Sequence, residues 1–373
     1  MSGSVGEDEQ ADRHTTSTNQ TNRTATMRER TLTNRRTVLK QITATAVGGS
    51  VLTGANTVAA SPPGEGRGRR NIVEIVAQHD HDTGEHLFDL SADEIASGWT
   101  TLEFDNQTEH THFVYLQKVP QQAIDEAANK NKDLLDYWVE QVTDPFQVFM
   151  DWILGKTTAP PSFPSWFGQI VPSGGTGLTA GHTTTETTVH LDPGKYQVEC
   201  YVKNDSNEFH SYLGMVDLLT VTDDESGAPE PEPTLDLSLS TDDGITVDDT
   251  VRPGRHIVAV TFEDQQGYSH LLGHDVHLIR FDEETDTSDV NNWMDWTNGF
   301  GMTGDQLVSD GTEPARFLGG VQDIWTGNLP ETGYFHVNLK PGDYAWVAEV
   351  PDPTSRGMLQ EFTVPFGRGP GKP

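Results

Sequence analysis

The chain has 373 residues, with 57 acidic and 24 basic side chains and a formal charge of −33. A surface this negative excludes binding to nucleic acid or anionic membranes, because like charges repel. Acidic excess of this size predicts a protein adapted to concentrated salt, which screens the self-repulsion of the folded state.

Its length suits two ordinary domains plus terminal segments. Arg35-Arg36-Thr37-Val38-Leu39-Lys40 matches a twin-arginine consensus. A weakly apolar run from Ile42 to about Val58 follows, and Val58-Ala59-Ala60 reads as a small-residue cleavage site. Residues 1–60 are therefore expected to be a signal region that sends the protein outside the cytoplasmic membrane, extracellular or at the cell surface. No later run approaches the ~18 apolar residues of a spanning helix, so none is expected in the mature chain. One cysteine, Cys200, excludes an intrachain disulfide. A free thiol in an exported protein oxidises, so its presence calls for an explanation.

Next come His79, His81 and His86, flanked by Asp80, Asp82 and Glu85. The group could bind a metal, but close spacing outside a regular element preorganises little, and a solvated acidic turn is the expectation. Short alternating strands follow at Trp99–Asp105 and His112–Gln117, then at Tyr196–Val202 and Met215–Val221. Between them, apolar residues at helical spacing over Gln121–Val142, and a second start at Asp144-Pro145, predict a helical insertion over about 121–155. It is expected to pack on one edge of the sandwich rather than to cover a functional end. This first domain spans 70–222. The stretch 223–233, DDESGAPEPEP, reads as an extended acidic linker. A second domain spans 234–364, with strands at Arg255–Phe262, Val276–Phe281, Tyr344–Val350 and Met358–Val364.

The two domains repeat each other. Val189-His190-Leu191-Asp192-Pro193-Gly194-Lys195-Tyr196 matches Val337-Asn338-Leu339-Lys340-Pro341-Gly342-Asp343-Tyr344, and Gly214-Met215 matches Gly357-Met358. Gly174-Gly175 and Gly319-Gly320 stand upstream in each, as do Met150-Asp151-Trp152 and Met294-Asp295-Trp296. Four matches in one order indicate a tandem duplication.

The chemistry concentrates around Cys200. Tyr196, Val198 and Cys200 alternate and face one way. A nine-residue loop leads to His210, and Met215 opens the next strand. A thiolate, an imidazole and a thioether on one loop form a soft ligand set of the kind that holds copper, and lack only a second imidazole.

Gly-x-Tyr-x-x-x-Cys, a loop, His, and Met five positions on resembles the C-terminal copper loop of the cupredoxin family, blue copper proteins of the plastocyanin and azurin kind. Phe104-Asp105-Asn106 followed by His112-Phe113-Val114 resembles the family's first-ligand strand, whose register favours His112 over His110. The resemblance implies an all-β fold of two tandem cupredoxin-like Greek-key β-sandwiches with helical insertions. It also implies one type 1 copper per chain, with His112, Cys200 and His210 in a trigonal plane and Met215 axial. The implied function is one-electron transfer, with a redox partner protein or a membrane electron-transport component.

No catalytic residue is expected. Multicopper oxidases need a His-Cys-His run and copper nitrite reductases a His beside the Cys, but Glu199 and Tyr201 flank Cys200. The second domain is read as degenerate. Ala348 takes the cysteine position, and 15 residues separate Gly342 from Gly357 against 20 between Gly194 and Gly214, so no counterpart of His210 remains. His270, His274 and His277 could imitate the first ligand but are expected to be solvent-facing or structural. A copper carrier or sensor, or a metal-free cell-surface binding module, are the alternative functions.

Overall fold

The computed structural model describes residues 70–80, 85–247, 250–268, 272–282, 285–297, 301 and 313–366. The expected signal region, His81 and His270 lie outside them. The first half contains β1 (Ile72–Asp80), β2 (Glu85–Leu90), β3 (Glu94–Asn106), β4 (His112–Lys118), β5 (Val171–Thr179), β6 (Thr183–Leu191), β7 (Gly194–Glu199) and β8 (Val216–Glu225). One sheet runs β2-β1-β3-β6 and the other β3-β8-β7-β4-β5. β3 serves both, because Glu94–Ser97 pair with β8 while Gly98–Asn106 pair with β6. On β1, Val73, Ile75 and Ala77 face inward at period two and are fully buried between the sheets.

The second half contains β9 (Leu235–Ser240), β10 (Gly244–Val247), β11 (Gly254–Phe262), β12 (Val276–Arg280), β13 (Arg316–Val321), β14 (Glu331–Leu339), β15 (Gly342–Val347) and β16 (Leu359–Val364). Its pairings repeat most of those of the first half, without a counterpart, among the described residues, of the parallel β3–β8 pairing. β9 lies antiparallel to β10 and parallel to β11, as β1 does to β2 and β3. β11 pairs β14, β12 pairs both β13 and β15, and β15 pairs β16. The fold class is all-β, as the sequence predicts.

Both sheets continue from one half into the other. β6 pairs β14 through Thr187↔Phe335, and β5 pairs β13 through Thr176↔Val321. One apolar core accordingly extends through both halves.

The repeated motifs have local physical reasons. Tyr196 donates its hydroxyl to the Asp192 carbonyl at 2.7 Å, and Tyr344 to the Lys340 carbonyl at 2.8 Å. Each bond closes the Pro-Gly turn into the following strand, a tyrosine corner. Gly175 has φ +144°, and a Cβ there would lie 1.9 Å from the Val114 carbonyl oxygen. Gly320 has φ +150° and would meet the Val276 carbonyl oxygen at 2.0 Å. Only glycine permits this approach of the neighbouring strand.

The insertion comprises α1 (Gln121–Asn129), α2 (Leu134–Trp138), a π-helical turn (Val139–Thr143) and α3 (Asp144–Ile153). The expected long helix is therefore broken. Asn131 takes a left-handed φ of +54°, and Asp133 caps α2 by accepting from Leu135 N. Ala123, Ala127, Tyr137, Trp138 and Trp166 form a separate small core with Val216 of β8.

Candidate metal centre

Cys200 follows directly on β7, one residue beyond the end of the strand. Backbone hydrogen bonds fold the loop after it. Cys200 N donates to the Met215 carbonyl (3.2 Å), Ser211 N to the Cys200 carbonyl (2.7 Å), and Met215 N to the His210 carbonyl (2.8 Å). These fix the cysteine, histidine and methionine of the loop relative to one another. The strand before His112 is held by Asn106, whose Nδ2 donates to the carbonyls of His110 (2.7 Å) and Thr179 (2.8 Å).

The result is a convergence of donor atoms. His112 Nδ1 lies 3.6 Å from Cys200 Sγ, His210 Nδ1 lies 3.9 Å from it, and the two Nδ1 atoms are 3.0 Å apart. Ligands at ~2.0–2.3 Å from one ion in a trigonal plane stand roughly 3.5–3.7 Å apart, so these three atoms fit a single metal. All three residues and Met215 are fully buried. His110, the competing first-ligand candidate, points elsewhere. It is half-buried beside His79 and His86.

Burial, reinforced by the neighbouring His86, holds the His112 and His210 imidazoles well below their usual pKa. Both are neutral and can offer a lone pair. Burial pushes the Cys200 thiol up to about 12, against the opposing pull of backbone groups of Phe113 and Val202. Without metal the sulfur keeps its proton, and metal binding must displace it.

Sequence reasoning set His86 aside with the expected solvated turn. It sits on β2, 4% exposed, with its ring stacked 4.1 Å from that of His210 and edge-on to that of His112 at 5.6 Å. His86, His112 and His210 present ligand atoms within 4.8 Å of one another. The expected solvated turn is corrected here, because β1 and β2 form a hairpin that lays its histidines over the centre. The one available signal was period-two alternation of His86 with Phe88, both of which face inward.

The insertion also does more than pack on an edge. Gln147 of α3 donates from Nε2 to the Asn207 carbonyl and accepts at Oε1 from Phe209 N, both at 3.0 Å. It thereby clamps the loop that carries His210. The second half grips the same loop. Trp296 is buried edge-on to Phe209 at 5.4 Å, and its carbonyl accepts from the buried Lys203 Nζ at 2.8 Å. Trp152, its partner in the repeated Met-Asp-Trp motif, is instead 45% exposed.

Strand register decides the fate of the second-half histidines. Gly175 opposes Tyr115 on β4 as Gly320 opposes His277 on β12, which places His277 at the Tyr115 position and His274 at the His112 position. His274 is fully buried but committed to Tyr268 Oη at 2.9 Å. His277 accepts from Leu178 N at Nδ1 (3.0 Å) and meets Asp275 Oδ2 through Nε2 (2.8 Å). Asp275, His277 and Glu349 lie close enough to hold an ion. Asp275 Oδ1 accepts from the Glu349 amide at 2.6 Å, and the Tyr201 hydroxyl donates to Glu349 Oε2 at 2.9 Å.

No protein-family model and no curated protein matches the chain. Among solved structures it is similar to auracyanin A, a "blue" copper protein from Chloroflexus aurantiacus. Identity is 18%, over 40% of this chain and 98% of that one, with a TM-score of 0.23. It is similar to an auracyanin from Roseiflexus castenholzii at 17% identity, over 42% and 99%, with a TM-score of 0.22. A blue copper oxidase from Nitrosomonas europaea matches at 14% identity over 79% of this chain and 85% of that one, with a TM-score of 0.21. Likenesses this remote leave the function to rest on the geometry of the Cys200 centre.

Proposed function

We propose that the protein is an exported type 1 copper protein that transfers single electrons. The observation that carries this reading is the convergence of His112 Nδ1, His210 Nδ1 and Cys200 Sγ within 3.0–3.9 Å in a fully buried site. Bound there, copper supplies a one-electron couple. His112, Cys200 and His210 would hold the copper, with Met215 as a further, weaker ligand. The hydrogen-bonded loop, Gln147 and Trp296 hold these donors in one geometry, so little needs to reorganise when the charge changes. Burial excludes water from the sulfur.

Electron transfer is favoured over catalysis because Glu199 and Tyr201, rather than histidines, flank Cys200. The partner is a redox protein or a membrane electron-transport component. The chain is read as a tandem duplication, with a first domain at 70–222, a linker at 223–233 and a degenerate second domain at 234–364. The repeated strand pairings and the two tyrosine corners support that reading. Residues 1–60 act as a twin-arginine signal, and the charge of −33 fits a working environment of concentrated salt.

The test is a visible spectrum of the protein titrated with Cu(II) in high salt. A thiolate-to-copper band near ~600 nm, saturating at one thiolate-bound copper per chain, is expected. A colourless product would leave Cys200 as a core thiol.

A further inference from the structure

Three more imidazoles gather on the outer side of the Cys200 centre. His79 and His86 stand directly opposite each other on the antiparallel strands β1 and β2. Their rings are 4.5 Å apart and nearly parallel, at 10°. His110, between β3 and β4, completes the triangle at 6.1 Å from His79 and 6.2 Å from His86. Asp80 and Glu85 form the next pair along the hairpin. His79 and His110 are half-buried while His86 is buried, so the group leads inward from the surface to His210.

We propose that His79, His86 and His110 form a second metal site, nitrogen-ligated and suited to Cu(II), on the outer side of the Cys200 centre. Three imidazoles with no sulfur suit Cu(II) rather than Cu(I). Directly opposed cross-strand residues keep their Cβ atoms ~4.5–5.5 Å apart, which lets two imidazoles reach one ion. With nitrogen at ~2.0 Å from the metal, each ring centroid lies roughly 3.2 Å from it, so centroids up to roughly 6.3 Å apart can share an ion. The parallel ring of His79 must turn about χ2 to do so, and that torsion is broad for histidine. His86 lies between this group and His112/His210, so the two sites are neighbours. An ion held at the first is within one side chain of the second.

The test compares copper bound per full-length chain in the wild type and in a His79→Ala/His110→Ala variant. Both are titrated with Cu(II) in high salt and read by metal analysis, electron paramagnetic resonance and the visible spectrum. The variant is expected to bind one copper fewer, to lose a signal with nitrogen hyperfine structure, and to keep the thiolate band at full intensity. The difference in count holds whether or not Cys200 takes copper, so failure of the type 1 reading shows separately as a missing band in both proteins. Equal counts in the two proteins would overturn the proposal. So would loss of the thiolate band in a folded variant, because the three imidazoles would then belong to the Cys200 centre. If the double variant does not fold, His110→Gln alone, at a loop position, reads the same difference.

Discussion

The two halves share a scaffold and differ in what it holds. In the first, the residue after β7 is Cys200 and its amide donates to the Met215 carbonyl at 3.2 Å. In the second, the residue after β15 is Ala348 and its amide donates to the Met358 carbonyl at 2.9 Å. Asn106 reaches the Thr179 carbonyl, and Gln265 makes the matching bond to Ile324. His274 occupies the His112 position. What the second half lacks is the thiol and the loop that would bring a second imidazole inward. Its backbone framework and buried methionine survive without them, so sheet pairing and turn chemistry sustain this fold independently of a metal site. The interior beside it holds Glu349, Asp275 and His277, which bond to one another and to Tyr201.

The comparison can be broken most directly at the sulfur. Cys200→Ser should abolish the ~600 nm band, because the chain has no other thiol. Retention of that band would reassign the ligands. The next largest effect concerns the acidic contact between the halves. Burial raises Asp323 to about 7, and Glu349 is raised well above its ordinary range by burial and by Asp275. As pH climbs from about 4 to about 7, the unfolded chain ionises while the folded chain keeps these protons, so stability falls across that window. Asp323→Asn should flatten the fall by on the order of 1–4 kcal/mol, measured by denaturant unfolding at successive pH values. An unchanged slope would show that Asp323 does not carry it.

A smaller effect is expected at the clamp. Gln147→Ala removes both bonds to the His210 loop and should cost about 1–3 kcal/mol in stability, with faster loss of copper to a chelator. Equal chelation rates would mean that α3 merely packs. Methionine substitutions sharpen the comparison further. Met215→Leu and Met358→Leu should each cost less than about 1.5 kcal/mol, as volume-conserving swaps do. Only Met215→Leu should move the reduction potential. The smallest effect belongs to Ala348→Cys, which restores a thiol without a His210 counterpart and should add no second thiolate–copper band. Appearance of such a band would mean that the second half keeps more of a site than its histidines indicate.

The parts legible along the chain are those written in contiguous residues. Alternating apolar residues mark the strands, and Pro-Gly followed by tyrosine marks the corners. The Cys200, His210 and Met215 spacing marks one metal loop. The helix break at Asn131 escapes, because a single residue in left-handed backbone leaves the apolar spacing on either side unchanged. His86 escapes because the acidic residues beside it read as a solvated turn. Its burial depends on which face of β2 the rest of the sandwich covers.

Sequence alone determined the all-β class and the residues of the Cys200 loop, because period-two burial and turn chemistry act over a few neighbours. Only the tertiary structure decided that His112 rather than His110 meets the thiol, that His274 rather than His277 takes the position equivalent to His112, and that α3 and Trp296 clamp the loop. Those outcomes depend on register and on pairing between strands far apart in the chain, where a shift of one residue turns every side chain to the opposite face.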